Sequence, residues 1–253
     1  MMTDLRFEED TLRKIESILL DHDIARSYFQ GELYDRLGNT FSGFSLELQS
    51  GRMVELDAKK SAYLFMIPDG STAWARRVNE HGNAPAGMDI HFTNSFVIEG
   101  EENSVIAFSA ETLPGVWSDT LHISRMMLRA DAPARLGTVA FGMMAVTAYR
   151  LGFTQIQLYA AGRGPLHPND PDALIGYCVW PKWGFDAPVN AAEMSRHPMS
   201  SMHEVSTVQG VIARTPEWWN TYGSARPMQF DLRANSLSWS ILINYLCTTV
   251  ATF

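Results

Sequence analysis

Cysteine is scarce in this sequence, which has only Cys178 and Cys247 in 253 residues. The separation of these two residues matches no metal-binding or redox motif. Proteins that depend on disulfides carry several closely spaced cysteines, so we expect two reduced thiols here. Histidine and aspartate do come together at residues 167–172, but the prolines among them are typical of a solvated loop. No metal site is predicted.

Clusters of basic residues and long apolar runs are also absent. The chain has 20 Lys and Arg against 28 Asp and Glu, which gives a formal net charge of −8. A protein that binds nucleic-acid phosphates usually has a basic face, so no extended nucleic-acid surface is expected. The sequence has no window of 18 apolar residues and no N-terminal signal pattern. These absences predict a soluble cytoplasmic protein that does not contact a membrane.

The common catalytic motifs are missing as well. The sequence contains no G-x-S-x-G, no H-E-x-x-H and no full P-loop. By motif, the chain therefore does not fit the α/β-hydrolases, the zinc metalloproteases or the P-loop nucleotide hydrolases. Any catalytic role has to come from a different arrangement of residues.

The sequence is rich in core-forming residues. Hydrophobic residues make up 46% of the chain and there are seven tryptophans, so disorder is excluded. Without a repeat or a composition break, residues 1–253 are predicted to form one α/β domain. Its N-terminal part, residues 1–90, is expected to contain a helix over 10–29 and a Gly- and Pro-rich loop over 68–90, an acceptor-side flap in an enzyme. Strands at 95–98 and 104–109 are predicted to form a hairpin.

The central stretch of the chain, residues 119–185, has the pattern of a strand–helix–strand unit. Residues 120–129 are β-branched and apolar, and residues 138–151 are apolar on nearly every side, which is typical of a buried helix. Gly152 is placed to end that helix, and residues 155–161 alternate as a strand does. Two strands joined by one helix are expected to be parallel neighbours with a right-handed connection.

This unit resembles the core of the GNAT acyltransferase superfamily. The likeness covers about residues 90–188. The distance from Gly137 to Gly152 is similar to that from the family's phosphate loop to the end of its central helix, and Gly184 and Phe185 match the Gly-Phe that opens its last core strand. The remaining residues, 189–253, are similar to C-terminal extensions of GNAT-like domains in bacterial polymorphic toxins.

The resemblance implies a mixed sheet whose two parallel strands splay apart at their carboxyl ends. It implies acetyl-CoA as co-substrate and a small-molecule or protein amine as acceptor, with the amine toward residues 68–95. The sequence does not decide whether the protein is a monomer or a homodimer.

A pyrophosphate is bound efficiently by backbone N–H groups at the N-terminus of a helix. Residues 134–138 contain no acid and offer a base, Arg135, a glycine, Gly137, and a hydroxyl, Thr138. We therefore expect cofactor contacts here, although an ordinary turn would have the same composition. Where the family motif has Gln or Arg, then Gly, then Gly or Ala, this chain has Ala132, Arg135 and Gly137, so only the last position fits. The predicted contacts are Ala134, Arg135, Leu136, Gly137 and Thr138.

Acyl transfer also needs a donor for the oxyanion and an acid for the departing thiolate. The resemblance implies that the oxyanion donor is the backbone N–H of Met127 or Leu128. The family often has a tyrosine as the acid, but its position is occupied here by Trp180. Tyr177, one helical turn earlier, is the nearest replacement, and core packing is its alternative role.

A base must remove a proton from the incoming ammonium. His122 on the first strand and Asp119 just before it are the nearest titratable residues, and Glu111 and Glu102 are further candidates. A single histidine on a strand can equally well be structural.

The function predicted from these features is acetyl-CoA-dependent N-acylation of an amine. The alternative is a non-catalytic GNAT-like binding module, or a toxin-type effector domain that has kept the fold and lost the cofactor. Arg135 in place of glycine and Trp180 in place of tyrosine both favour the alternative.

Overall fold

The structure is a computed structural model that describes residues 2–80, 86–165, 173–189, 191–197 and 205–250. Within these ranges the chain is a mixed α/β protein with one large sheet and one separate two-stranded hairpin. The strands are β1 (Gly43–Glu47), β2 (Met53–Asp57), β3 (Thr72–Val78), β4 (Gly87–Thr93), β5 (Asn103–Leu113), β6 (Val116–Arg125), β7 (Gln155–Arg163) and β8 (Ser224–Asp231). The α-helices are α1 (Met2–Phe7), α2 (Arg13–Asp21), α3 (Asp23–Tyr28), α4 (Ala58–Leu64), α5 (Leu136–Arg150), α6 (Gly176–Val179), α7 (Ala191–Arg196), α8 (Val208–Arg214), α9 (Pro216–Tyr222) and α10 (Leu237–Thr249).

The six strands of the large sheet lie in the order β3-β4-β5-β6-β7-β8. All neighbours are antiparallel except β6 and β7, which are parallel and joined through α5. The predicted helical crossover between parallel neighbours is therefore confirmed. Pairing between β6 and β7 starts at Thr120 with Gln155 and ends at Ile123 with Leu158, although both strands continue beyond that pair. A gap thus opens between them at their carboxyl ends.

Helix α5 is the centre of the core. Eleven of its fifteen residues are buried, and it contacts α2, α4 and α10 as well as the apolar face of the sheet. Gly142 explains how the helices come so close, because a Cβ there would lie 2.8 Å from Cδ2 of Leu19 in α2. Gly152 ends the helix with φ +76°, as predicted.

The faces of the sheet differ in polarity. Pairing places Val105, Leu121 and Ile156 on the face that α5 covers. The opposite face carries a row of residues across four strands, in which Asp89 pairs with Ile106, Ile106 with His122, and His122 with Gln157, and all of them except Ile106 are polar. We call this the polar face.

Two predictions for the first half of the chain were wrong. Residues 68–90 do not form one loop, because β3 and the start of β4 lie within them. The predicted strand at 95–98 is absent, and only Val97 forms an isolated bridge, with Leu128. The apolar residues Met88, Ile90 and Phe92 alternate with polar ones, which is the pattern of a strand. The glycines and the proline just before them are typical of a turn, and for this reason the prediction favoured a loop.

The predicted helix over 10–29 is interrupted. It begins with a π-helical turn, Glu8–Leu12, and breaks at His22, whose backbone is extended with ψ 139°. The Nδ1 atom of His22 accepts a hydrogen bond from the Ile24 N–H at 3.1 Å, so this side chain caps α3. Further along the chain, β6 begins and ends four residues before the strand predicted at 120–129.

Phe141 of α5 should be among the most sensitive core positions. Its ring packs against Trp180, Trp183, Phe185 and Phe230 at centroid distances of 5.2–6.1 Å. We expect Phe141→Ala to lower the free energy of unfolding by about 3–5 kcal/mol, because the cavity cannot be filled without moving several rings.

The measurement is urea-induced unfolding, with Leu113→Ala as control because Leu113 is 65% exposed at the β5–β6 turn. The control should change the stability by less than about 0.5 kcal/mol. Equal effects of the two substitutions would contradict the assigned core.

Candidate functional site

The gap between β6 and β7 opens toward the N-terminus of α5. The loop before α5 places Arg135 in the left-handed region, with φ 69° and ψ 3°. For a residue other than glycine this backbone costs roughly 1–2 kcal/mol. Arg135 therefore has a backbone conformation that glycine adopts more readily.

The N-terminus of α5 has no acid in its first turn and no side-chain cap. The N–H of Leu136 donates to the carbonyl of Pro133 at 3.1 Å, and the N–H of Val139 donates to the carbonyl of Arg135 at 2.9 Å. The N–H groups of Gly137 and Thr138 lie between these two bonds. With the partial positive charge of the helix N-terminus, they suit an anion.

Gly137 does not face open solvent. A Cβ at this position would lie 3.4 Å from the ring of Trp183 and 3.5 Å from Cδ1 of Leu128. Trp183 and Leu128 therefore both pack close to the loop at Gly137. Thr138 is buried, whereas Ala134 and Arg135 are exposed.

The segment after β6 contains both predicted oxyanion donors, and they differ. The N–H of Met127 donates to Oδ1 of Asn103 at 2.7 Å, and the N–H of Arg129 donates to the carbonyl of Phe96 at 2.8 Å. Asn103 belongs to β5, and Phe96 belongs to the turn between β4 and β5. Because N–H directions alternate along an extended segment, the Leu128 N–H between these two donors points away from both partners.

Asp119 lies at the other end of the β6–α5–β7 unit. Its Oδ2 is 2.7 Å from Nη2 of Arg52, and its Oδ1 accepts a hydrogen bond from Ser109. Arg52 also donates to the carbonyl of Leu151, at the C-terminus of α5. Through these two contacts Arg52 connects the C-terminus of α5 to the start of β6. Asp119 is therefore at the opposite end of α5 from the proposed phosphate contacts.

His122 lies on the polar face of β6, one residue before the last pair with β7. It is half-buried, and burial lowers the pKa of its imidazole, while the Asp89 carboxylate acts in the opposite direction. A neutral imidazole can accept a proton at neutral pH. His122 and Asp119 are on opposite faces of β6, so the structure does not bring these two candidates together.

Tyr177 is fully buried in α6. Its hydroxyl donates to the carbonyl of Asn220 at 2.9 Å, and its own carbonyl accepts a hydrogen bond from Nε1 of Trp219 at 2.9 Å. Burial raises the pKa of the hydroxyl. These contacts join α6 to α9, so in this structure Tyr177 has the core-packing role that was its alternative.

Sequence reasoning missed a polar group on the outer strands of the polar face. His91 is 5% exposed and stacks on Trp74 at 5.6 Å, with the Arg36 guanidinium 4.1 Å from the Trp74 ring. Nε2 of His91 lies 2.9 Å from Oδ2 of Asp89, and Nδ1 of His91 lies 2.9 Å from Oε1 of Glu102. The signal in the sequence was the alternation of polar Asp89 and His91 with apolar residues in β4, which places both polar side chains on one face of the strand.

Of the remaining candidates, Glu102 belongs to this polar group, and Glu111 lies near the β5–β6 turn, where it accepts a hydrogen bond from Gly115. His167, Asp170 and Asp172 fall outside the described residues. Among the residues that the structure describes, no group of three or more His, Cys, Asp or Glu could hold a metal ion. Nor does any helix in those ranges have the length and apolar character to cross a membrane.

Comparison with models of known protein families, with curated proteins and with solved structures finds no match. The functional argument therefore depends on the geometry of this chain alone.

The lowered pKa of His122 predicts a pH dependence of stability. The unfolded chain binds a proton at His122 near pH 6.5, whereas the folded protein binds it only at lower pH. Stability should therefore fall as the pH drops below about 6.5, until the folded imidazole is also protonated. His122→Gln should show a smaller loss.

The measurement is urea unfolding of both proteins at about pH 7.5 and about pH 5.5. His22, whose pKa is also lowered by burial, contributes equally to both and cancels. An identical loss of stability in wild type and variant would contradict the burial of a neutral His122.

Proposed function

We propose that this protein is an acetyl-CoA-dependent N-acyltransferase that acts on an amine. The observation that carries the proposal is that β6–β7 pairing ends at Ile123 and Leu158 while both strands continue, with the acid-free N-terminus of α5 following β6. The Leu128 N–H, which points away from the partners of Met127 and Arg129, is the proposed group on one side of this gap. A gap at the carboxyl ends of parallel strands is a common place for a ligand.

The residues at this gap fit the parts of an acyl-CoA. The N–H groups of Gly137 and Thr138, with the exposed Arg135, suit the pyrophosphate. The Leu128 N–H is placed for the thioester oxygen, on which negative charge develops as the amine attacks. The thioester carbon then forms its bond to the amine nitrogen, and its bond to sulfur breaks.

Three proton transfers complete the reaction. His122, neutral because of its burial, is the proposed acceptor of the proton that the ammonium must lose before it attacks. The departing thiolate must gain a proton, and Tyr177 is the proposed donor, although its hydroxyl would first have to leave the Asn220 carbonyl. The attacking nitrogen loses a second proton as the amide forms, and this proton restores the Tyr177 hydroxyl. The products are an amide, a thiol and the one proton that His122 releases.

Three contacts favour the second candidate, a non-catalytic binding module or effector domain that has lost the cofactor. The Met127 N–H is bonded to Asn103, the Tyr177 hydroxyl is bonded to Asn220, and Trp183 packs beside Gly137. In a module these groups are structural and no acyl-CoA binds.

Calorimetry with acetyl-CoA separates the two candidates. The proposed enzyme should bind saturably, and Arg135→Glu should weaken binding by about tenfold or more, because the substitution places a negative charge at the helix N-terminus that receives the phosphates. Arg135 is exposed, so the variant is expected to fold.

The control is Arg77→Glu, the same charge change on exposed β3, at the far edge of the sheet. It should leave the affinity within about twofold of wild type. Absence of binding at millimolar acetyl-CoA would favour the module, and equal weakening by both variants would reject the assigned phosphate site.

Tyr177→Phe tests both roles of this tyrosine. Removal of the hydroxyl leaves the Asn220 carbonyl without this donor in a partly buried site, so the free energy of unfolding should fall by about 0.5–1.5 kcal/mol. If Tyr177 also supplies the proton, kcat should fall by about 10²–10⁴ while acetyl-CoA affinity stays unchanged.

The two measurements are urea unfolding and the rate of thiol release. Unchanged stability would contradict the hydrogen bond to Asn220. Lowered stability with a kcat close to that of wild type would reject Tyr177 as proton donor and leave that step to water.

A further inference from the structure

Asn103, the first residue of β5, has a polar side chain that is 0% exposed. On one side of β5 its backbone pairs with Phe92 of β4. On the other side, the pairing of β5 with β6 extends only to Ser104, which pairs with Arg125. Asn103 therefore lies at the point where β6 leaves its neighbour in the sheet. A buried amide is costly without partners, so its hydrogen bonds decide what it does there.

A β-bulge marks the same point on β6. Ser104 pairs with Arg125, whereas Val105 pairs with Ile123, so β6 has one extra residue between these two pairs. Such a residue bends its strand and disrupts the regular ladder. Residues 126–128, which follow, therefore need another partner for their backbone groups.

The side chain of Asn103 is that partner. Its Oδ1 accepts a hydrogen bond from the Met127 N–H at 2.7 Å, and its Nδ2 donates to the Met127 carbonyl at 3.3 Å and to Sδ of Met126 at 3.5 Å. One amide thus bonds both backbone groups of Met127, as a directly opposite residue in an antiparallel pair does. The reverse orientation of the amide would bring two donors together, so these bonds also fix the side chain.

The backbone on the other side of Leu128 is held as well. The Arg129 N–H donates to the Phe96 carbonyl at 2.8 Å, and Leu128 itself forms a bridge with Val97. Because both neighbours of Leu128 are held in this way, its own N–H has a fixed direction.

We propose that Asn103 is a positioning residue, which holds the Leu128 N–H in the direction that stabilises the oxyanion. It acts through Met127 and does not touch the acyl-CoA. This role rests on the proposed function, because it needs a thioester oxygen at the Leu128 N–H. A donor stabilises an oxyanion best when it is held in place before the charge develops, and the buried amide supplies that rigidity.

The first measurement is hydrogen exchange of the backbone amides without any ligand. In Asn103→Ala the Met127 amide should exchange about tenfold faster or more than in wild type, because its acceptor is lost. The amides of Val105 and Leu121, inside the sheet, should keep their protection and show that the variant is folded. Asn103→Asp keeps an acceptor for the Met127 N–H, so its effect should be smaller, and it carries the test if Asn103→Ala does not fold.

The second measurement is the ¹³C NMR signal of acetyl-CoA that is labelled at the thioester carbonyl. In wild type, a hydrogen bond from the Leu128 N–H should move the signal of the bound molecule downfield of the free one. Asn103→Ala should lose about half of this displacement or more, because the donor is no longer aligned. Its acetyl-CoA affinity, measured by calorimetry, should stay within about threefold of wild type, because the proposed phosphate contacts are unchanged.

The matched control is Ser71→Ala. Ser71 is 0% exposed and directly precedes β3, at the edge of the sheet, and its Oγ donates to the Pro68 carbonyl at 2.6 Å. The control also loses a buried hydrogen bond, but it should change neither the exchange of the Met127 amide nor the carbonyl signal.

Faster exchange at Met127 with the carbonyl displacement of wild type would make Asn103 purely structural, which would overturn the inference and leave the proposed function intact. Equal losses of displacement in Asn103→Ala and Ser71→Ala would also overturn it, since they would indicate general loosening. Absence of acetyl-CoA binding to the wild-type protein would reject the proposed function and this inference together.

Discussion

The burial of helix α5 is the constraint on which the rest of the structure depends. A helix with so few polar side chains must be covered on all sides, and here the sheet lies on one side while α2, α4 and α10 cover the others. The absence of a side chain at Gly142 lets Leu19 come close, which joins the N-terminal helices to the core. Because α5 connects β6 to β7, its burial also fixes the one parallel pair in the sheet.

The two ends of α5 have different roles. Its C-terminus is held by Arg52, which donates to the Leu151 carbonyl and pairs with Asp119. Its N-terminus has no acid and no side-chain cap, and it follows the end of β6, where pairing with β7 has already stopped. A fixed C-terminal end keeps the N-terminal end in place, which is the rigid support that a binding site needs.

Much of the central unit could be predicted from the sequence. The apolar helix, Gly152 at its end and the alternation after Gln155 are local signals, and all three are confirmed. A serine directly before an apolar run is also a local signal for a helix start, and Ser236 is the N-cap of α10, since its Oγ accepts a hydrogen bond from the Trp239 N–H at 3.3 Å.

The polar contacts could not be predicted in the same way, because they join residues far apart in the chain. Asn103 binds Met127 across 24 positions, and Tyr177 binds Asn220 across 43. Nothing in the sequence near Met127 or Tyr177 marks these bonds. The pairing of His91 with Glu102 also depends on β4, which the neighbouring glycines concealed.

The central claim is that an acyl-CoA binds between the Leu128 N–H and the N-terminus of α5. Its most direct test is an amide NMR titration of the uniformly ¹⁵N-labelled protein with acetyl-CoA. The account predicts saturable shifts that are largest at the amides of Leu128, Gly137 and Thr138. Shifts that are absent at millimolar acetyl-CoA, or that lie elsewhere in the chain, would contradict it.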